Sequence, residues 1–233
     1  MQNLTPWWQE SAETSKPHAT GVGQTMLILI WIRSRSLDPF LVWLLAALLT
    51  LPATSSAESL HRQGAGPWSL TGLVGQWDDS QLVDMVTLRG GDWRSSYLRG
   101  VVLGYQLTDW WKDTVWELEG QLHKHSGLQS NWEANGAIVL LWTRFPWNEV
   151  VNTTASIGQG MSLATQRPEV ERFGENNDTR ELLHYLHLEM AISAPSWKHL
   201  SIVGRIHHRS GVFGLYGVSG GSNFLTTGLR YRF

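Results

Sequence analysis

The sequence predicts an all-β fold, an eight-stranded antiparallel transmembrane β-barrel of the outer-membrane type. Three observations carry that expectation. Apolar and polar residues alternate with period two in segment after segment beyond Trp68, with no sustained helical pattern. Eight such segments can be drawn, most about 10 to 12 residues long, the length a tilted strand needs to cross a bilayer. An even number of them closes without an unpaired edge, as a hydrocarbon interior requires. The connections at one end are also short and rich in Trp, where an interfacial aromatic girdle belongs.

Composition fits this class. The 233 residues include 14 Trp and 23 Gly, only 16% are charged, and the formal net charge is -2. A near-zero charge gives no field that draws a chain onto nucleic acid. The absence of cysteine excludes a disulfide scaffold, a cysteine-ligated metal centre and a cysteine nucleophile.

The N-terminal part is read as an extension plus an export signal. The apolar run 40–51 is too short for a spanning helix, which needs about 20 residues. Arg33 and Arg35 precede it, and the small residues Ala53, Thr54, Ser55, Ser56 and Ala57 follow, giving an n-region, an h-region and a cleavage site after Ala57. Residues 1–25 are polar and aperiodic, so Met26 is the expected start. Residues 1–57 are thus an upstream extension and signal peptide, and 58–233 the barrel. The discarded part carries as many basic as acidic residues, so the mature balance stays at -2.

The predicted strands are 68–77, 97–107, 115–125, 131–145, 150–164, 182–194, 199–210 and 222–233. In the third, Trp116, Leu118, Gly120 and Leu122 share one face, and Glu117, Glu119, Gln121, His123 and His125 the other. In the sixth, Leu182, His184, Leu186, Leu188, Met190 and Ile192 oppose Tyr185, His187, Glu189 and Ser193. The connections 78–96, 165–181 and 211–221 are long, as outside loops are; 146–148 and 194–198 are short. The outside connection 126–130 breaks the pattern by being short. Trp110, Trp111, Trp147 and Trp197 fall in the three predicted periplasmic turns. A soluble lipocalin-like barrel would instead place apolar residues inside, with no reason for Trp at successive turns.

Parity on the seventh strand singles out a site. Leu200, Ile202, Gly204 and Ile206 share a face with His208 and Ser210, whereas Arg205, His207 and Arg209 face the other way. Polar groups on a lipid face are costly and point to function. Residues i and i+2 lie roughly 6.5–7 Å apart, so an imidazole can lean over a serine hydroxyl. Counting back from Phe233 on the last strand places Asn223 outermost on the same face, beside His208, where an amide can orient the imidazole as in Cys-His-Asn proteases. Two further groups are weaker candidates. Glu117, Glu119, Glu189, His187 and Arg205 point inward and read as a lumen plug rather than acid-base machinery. His123 and His125 make two metal ligands without a third.

The run Ile206-His207-His208-Arg209-Ser210-Gly211, followed by a Gly-rich loop and a last strand ending Gly228-Leu229-Arg230-Tyr231-Arg232-Phe233, resembles the lipid A 3-O-deacylase family (PagL-type acyloxyacyl hydrolases). The resemblance covers the mature region loosely and the last 30 or so residues well. It implies an eight-stranded barrel in the bacterial cell outer membrane that removes the ester-linked acyl chain at the 3-position of lipid A. Ser210 would be nucleophile, His208 base and Asn223 the orienting group, where the family has Glu. Gly211 stands where the family has Asn, whose backbone N–H helps hold the oxyanion. The partners implied are lipid A or lipopolysaccharide in the outer leaflet and, through the strand ending in Phe233, the outer-membrane insertion machinery. No metal or cofactor is implied. Two other readings stay open: a catalytically inactive structural or lipid-binding barrel, and a phospholipase using the same residues.

Overall fold

The computed structural model describes residues 66–111, 113–172 and 178–233. The expected extension, start at Met26 and cleavage after Ala57 lie outside the described residues. Eight strands run in chain order: β1 (Trp68–Asp78), β2 (Trp93–Trp111), β3 (Thr114–Gly127), β4 (Trp132–Trp142), β5 (Asn152–Ala164), β6 (Leu182–Ser193), β7 (Leu200–Ser210) and β8 (Gly221–Arg232). Each pairs antiparallel with its neighbours, and β8 pairs with β1, so the sheet is closed. Reciprocal backbone bonds between Trp68 and Phe233, 3.1 and 2.8 Å, fasten the two ends. No helix among the described residues is long and apolar enough to cross a membrane.

The strands coincide with the predicted ones to within a few residues, except β2. That strand continues past both expected ends to Trp93 and Trp111, leaving a two-residue turn before β3. Arg94, Ser95, Ser96 and Asp109 interrupt the alternation at the two ends, and backbone pairing with β1 and β3 overrides that local pattern. The expected connection 108–114 is thereby shortened, in keeping with the other turns at that end. The first outside connection carries a short helix, α1 (Leu82–Val86), and the fifth-to-sixth carries a 3-10 turn, Glu169–Arg172.

Burial alternates along every strand. Leu70, Val101, Leu118, Ile138, Ile157, Met190, Ile202 and Leu229 point out and are exposed, while Glu117, Glu119, Glu189 and Arg205 point in and are buried. This inverts a soluble barrel, whose core is apolar, and suits an outer wall solvated by lipid tails. Aromatic side chains ring the wall at two levels. Trp68, Tyr105, Trp142, Trp147, Trp197 and Tyr231 lie at one end and Trp93, Tyr97 and Trp132 at the other. The side chains of Trp110 and Trp111 lie outside the described ones.

The lumen is filled by charge pairs. Arg232 meets Glu117 at 3.1 Å, Arg230 meets Glu189 at 2.8 Å, and Arg205 donates to both oxygens of Glu119 at 2.9 and 2.8 Å and to Glu189. Above the histidines of the next layer, Arg209 meets Glu171 at 3.1 Å. Glu171 comes from the 3-10 turn and accepts from Thr179 at 2.5 Å and Ser222 at 2.8 Å, while Val170 packs with Trp77, Leu98 and Phe224. The 3-10 turn of this connection therefore reaches into the outer mouth through Val170 and Glu171. Burial pushes the Glu171 carboxyl above its ordinary range, against the pull of the Arg209 guanidinium. The expected lumen plug is borne out, and with it the inward orientation of His187.

Candidate active site

His208 and Ser210 occupy the last turn of pleat on β7 before the outside connection 211–220, and both side chains point outward. Their strand position follows from the alternation that places Leu200 and Ile202 on the same wall. Asn223 is the direct partner of His208 across β7 and β8, as the count from the C-terminus predicts. The side chains are joined: His208 Nδ1 lies 2.6 Å from Asn223 Oδ1.

The direction of that bond is fixed by the amide's other end. Asn223 Nδ2 donates to the Ser80 carbonyl at 2.8 Å, so Oδ1 must face the ring and Nδ1 must carry the proton. His208 Nε2 is then the basic nitrogen. In a serine protease, exchanging the acid for an amide is damaging largely because the amide selects the wrong imidazole tautomer. Here the Ser80 carbonyl prevents that, and only the missing negative charge weakens support for an imidazolium.

Ser80 is itself held by a carboxylate. Its amide donates to Asp78 Oδ1 at 2.9 Å, and Asp78 is the cross-strand partner of Asn223 on β1. Asp78, only 2% exposed, thus stands in one transverse row with Asn223 and His208. Sequence reasoning missed it because parity orders residues along a strand and gives no register between strands far apart in the chain. His184 was missed as part of the site for the same reason: it faces outward on β6, directly opposite Ser210.

Ser210 Oγ makes no hydrogen bond among the described residues, so the base and the hydroxyl are neighbours without being joined. Its partner on β8 is Gly221, which leaves the wall beside the hydroxyl bare. A Cβ there would crowd the Arg209 carbonyl.

Gly211 departs from its expected role. Its N–H donates to the Gly220 carbonyl at 3.0 Å, closing the hairpin mouth, and an amide so engaged is not free to hold an oxyanion. The next amides are different. Val212 and Phe213 have φ of 47° and 53°, followed by Gly214 at 90°, and their N–H groups have no acceptor among the described residues. A β-branched residue at positive φ is strained, and strain of this kind clusters at functional sites. Phe213 and Leu215 on this connection are fully or largely exposed.

Comparison with known proteins bears on the fold. No family model and no curated protein matches the sequence. Among solved structures, the chain is similar to the outer membrane enzyme PagL, with a TM-score of 0.52 and 13% identity, covering 70% of this chain and 98% of that one. Neisserial surface protein A matches with a TM-score of 0.45, 11% identity and 73% and 99% coverage. OprG from Pseudomonas aeruginosa matches with a TM-score of 0.38, 11% identity and 72% and 97% coverage. The chain is a closed eight-stranded antiparallel barrel of the outer-membrane type.

Proposed function

We propose that this chain is an outer-membrane serine esterase that removes an ester-linked 3-O-acyl chain from lipid A. The observation that carries the reading is the outward-facing His208, fixed by Asn223 in the tautomer that leaves Nε2 basic, two residues from Ser210 at the outer end of β7. The His-Xaa-Ser resemblance in the sequence supplies the substrate class.

In this reaction Ser210 Oγ attacks the ester carbonyl carbon while His208 Nε2 takes its proton, and the carbonyl π electrons move onto oxygen. Collapse of the tetrahedral species expels the sugar alkoxide, which takes the proton back from His208. Water then attacks the acyl-serine by the same route and releases the fatty acid. A positioned base contributes about 10²–10⁴-fold. The Val212 and Phe213 amides replace Gly211 as the oxyanion donors. Phe213 and Leu215 embed among acyl chains next to Ser210, and the half-exposed Phe233 offers the last strand to the insertion machinery.

A second reading is a non-catalytic barrel, favoured by the missing bond between Ser210 and His208 and by the neutral amide at the acid position. Mass spectrometry of lipid A from an outer-membrane-bearing host separates the two. Expression of the chain from Met26 is expected to remove one 3-hydroxyacyl chain, and the Ser210→Ala variant none. Unchanged lipid A with a correctly inserted barrel would leave the non-catalytic reading, and release of fatty acid from glycerophospholipids instead would reassign the same residues to a phospholipase.

A further inference from the structure

The histidine layer of the lumen lies beneath the Arg209–Glu171 closure and takes no part in the outward site. His123 on β3 and Glu133 on β4 are direct cross-strand partners, and His207 reaches them from β7 across the barrel. One ligand atom of each lies within 4.8 Å of the others, and all three are buried.

Three observations bear on what these groups could hold between them. His207 Nε2 comes within 2.9 Å of Glu133 Oε1 as an ion pair, yet neither atom makes an aligned hydrogen bond, and His123 turns its Nδ1 toward the same oxygen at 4.0 Å. Buried polar atoms left unpaired are costly and call for an explanation. The other carboxylate oxygen, by contrast, is fully held. His125 Nε2 donates to Glu133 Oε2 at 2.9 Å while its Nδ1 accepts from Gln129 at 2.9 Å. That outer support leaves Oε1 facing His207 and His123 alone, as the partners of metal ligands do. Finally, Gly100 makes room for the ring, since a Cβ there would strike His123.

The charge balance points the same way. Among the described lumen groups, Glu117, Glu119 and Glu189 meet Arg205, Arg230 and Arg232, and Glu171 meets Arg209. Glu133 remains with imidazoles. The nearest guanidinium, Arg209, is 4.0 Å away and turned toward Glu171 and the Glu181 carbonyl. A buried carboxylate needs a compensating cation.

We infer that His123, Glu133 and His207 form a buried site for a first-row divalent cation, zinc above all, that ties β3 and β4 to β7 across the lumen. A His₂Glu set suits zinc, with bonds of about 2.0–2.2 Å and a fourth position for water. The neighbouring Asn135 donates from Nδ2 to His123 Nδ1 at 3.2 Å and leaves its Oδ1 unpaired; an ion on His123 would displace that bond and free the amide to hold its water. In a chain without cysteine, such a site takes the place of a disulfide as a long-range brace. Because the ligands are buried between the Arg209–Glu171 pair and the Arg205 network, the ion enters as the barrel folds and is then retained.

The test is metal analysis of the full chain refolded in detergent with zinc and then passed through chelator. Wild type is expected to retain one zinc per chain, Glu133→Gln and His207→Gln to lose it, and His187→Gln, a lumen histidine outside the cluster, to keep it. Folding of each is read from heat-modifiable migration on gels. Wild type that retains no more zinc than the folded His207→Gln variant would overturn the site. If the ligand variants do not fold, refolding wild type with cobalt decides. Visible d–d bands of a low-symmetry nitrogen and oxygen site are expected, and a spectrum of aqueous cobalt alone would overturn it.

Discussion

Asn223→Ala removes the acceptor that holds the His208 Nδ1–H and leaves that donor unpaired, a loss of about 1–3 kcal/mol. A roughly tenfold to hundredfold fall in kcat with little change in KM is expected in a detergent assay of fatty-acid release. Asn223→Asp is a sharper test, because a carboxylate at 223 faces Asp78 across β1 and β8 and cannot donate to the Ser80 carbonyl. It is expected to gain nothing alone and to gain activity when combined with Asp78→Asn; equal activity of the single and double variants would show that Asp78 does not bear on the site. His208, Ser210 and Asn223 were legible in the sequence because strand parity and a count from Phe233 place them. Asp78, His184 and the His123–Glu133–His207 cluster were not, since each depends on register across strands or on which residues meet over the lumen. The Gly211 amide was assigned an oxyanion role from its place after Ser210, and the hairpin closure that occupies it is a pairing no local pattern reveals.

At the scale of elements, the strands were readable almost to their ends because one face had to be apolar and the other polar. Ile138 stands near the middle of β4 on the outer wall, so Ile138→Arg puts a charge near the bilayer midplane. The cost expected is about 2–4 kcal/mol in reversible unfolding from lipid vesicles, whereas a loss below 0.5 kcal/mol would place this face away from lipid. The plug formed by the Glu169–Arg172 turn was not readable: the polar composition around it marks a loop, and only the pairing of Glu171 with Arg209 and Ser222 draws it into the mouth. Its carboxyl has a raised folded-state pKa. The plug's stabilisation is therefore complete at pH below the unfolded carboxylate value and declines as pH rises through the folded one. Glu171→Gln, neutral throughout, lacks this dependence. Its thermal midpoint relative to wild type is expected to rise with pH across that window, and a flat difference would contradict the assignment.

The two faces of the sheet differ in kind: the inner face holds the barrel together through buried charge pairs, and the outer face carries the His208–Asn223 pair and Ser210 on which the proposed chemistry rests. Arg205, 1% exposed, links Glu119 on β3 to Glu189 on β6, so its removal takes both hydrogen-bonded guanidinium contacts from the buried Glu119 and leaves Glu189 with Arg230 alone. Arg205→Met is expected to cost about 3–5 kcal/mol in urea unfolding without changing kcat of the barrel that remains folded. The most direct test of the central claim is intact-mass and peptide mass spectrometry after treating the folded barrel with a long-chain fluorophosphonate, which reports an activated serine regardless of substrate. The account predicts a single adduct on Ser210 that disappears in His208→Ala. A folded wild-type barrel that takes up no adduct, or takes it up equally without His208, would contradict it.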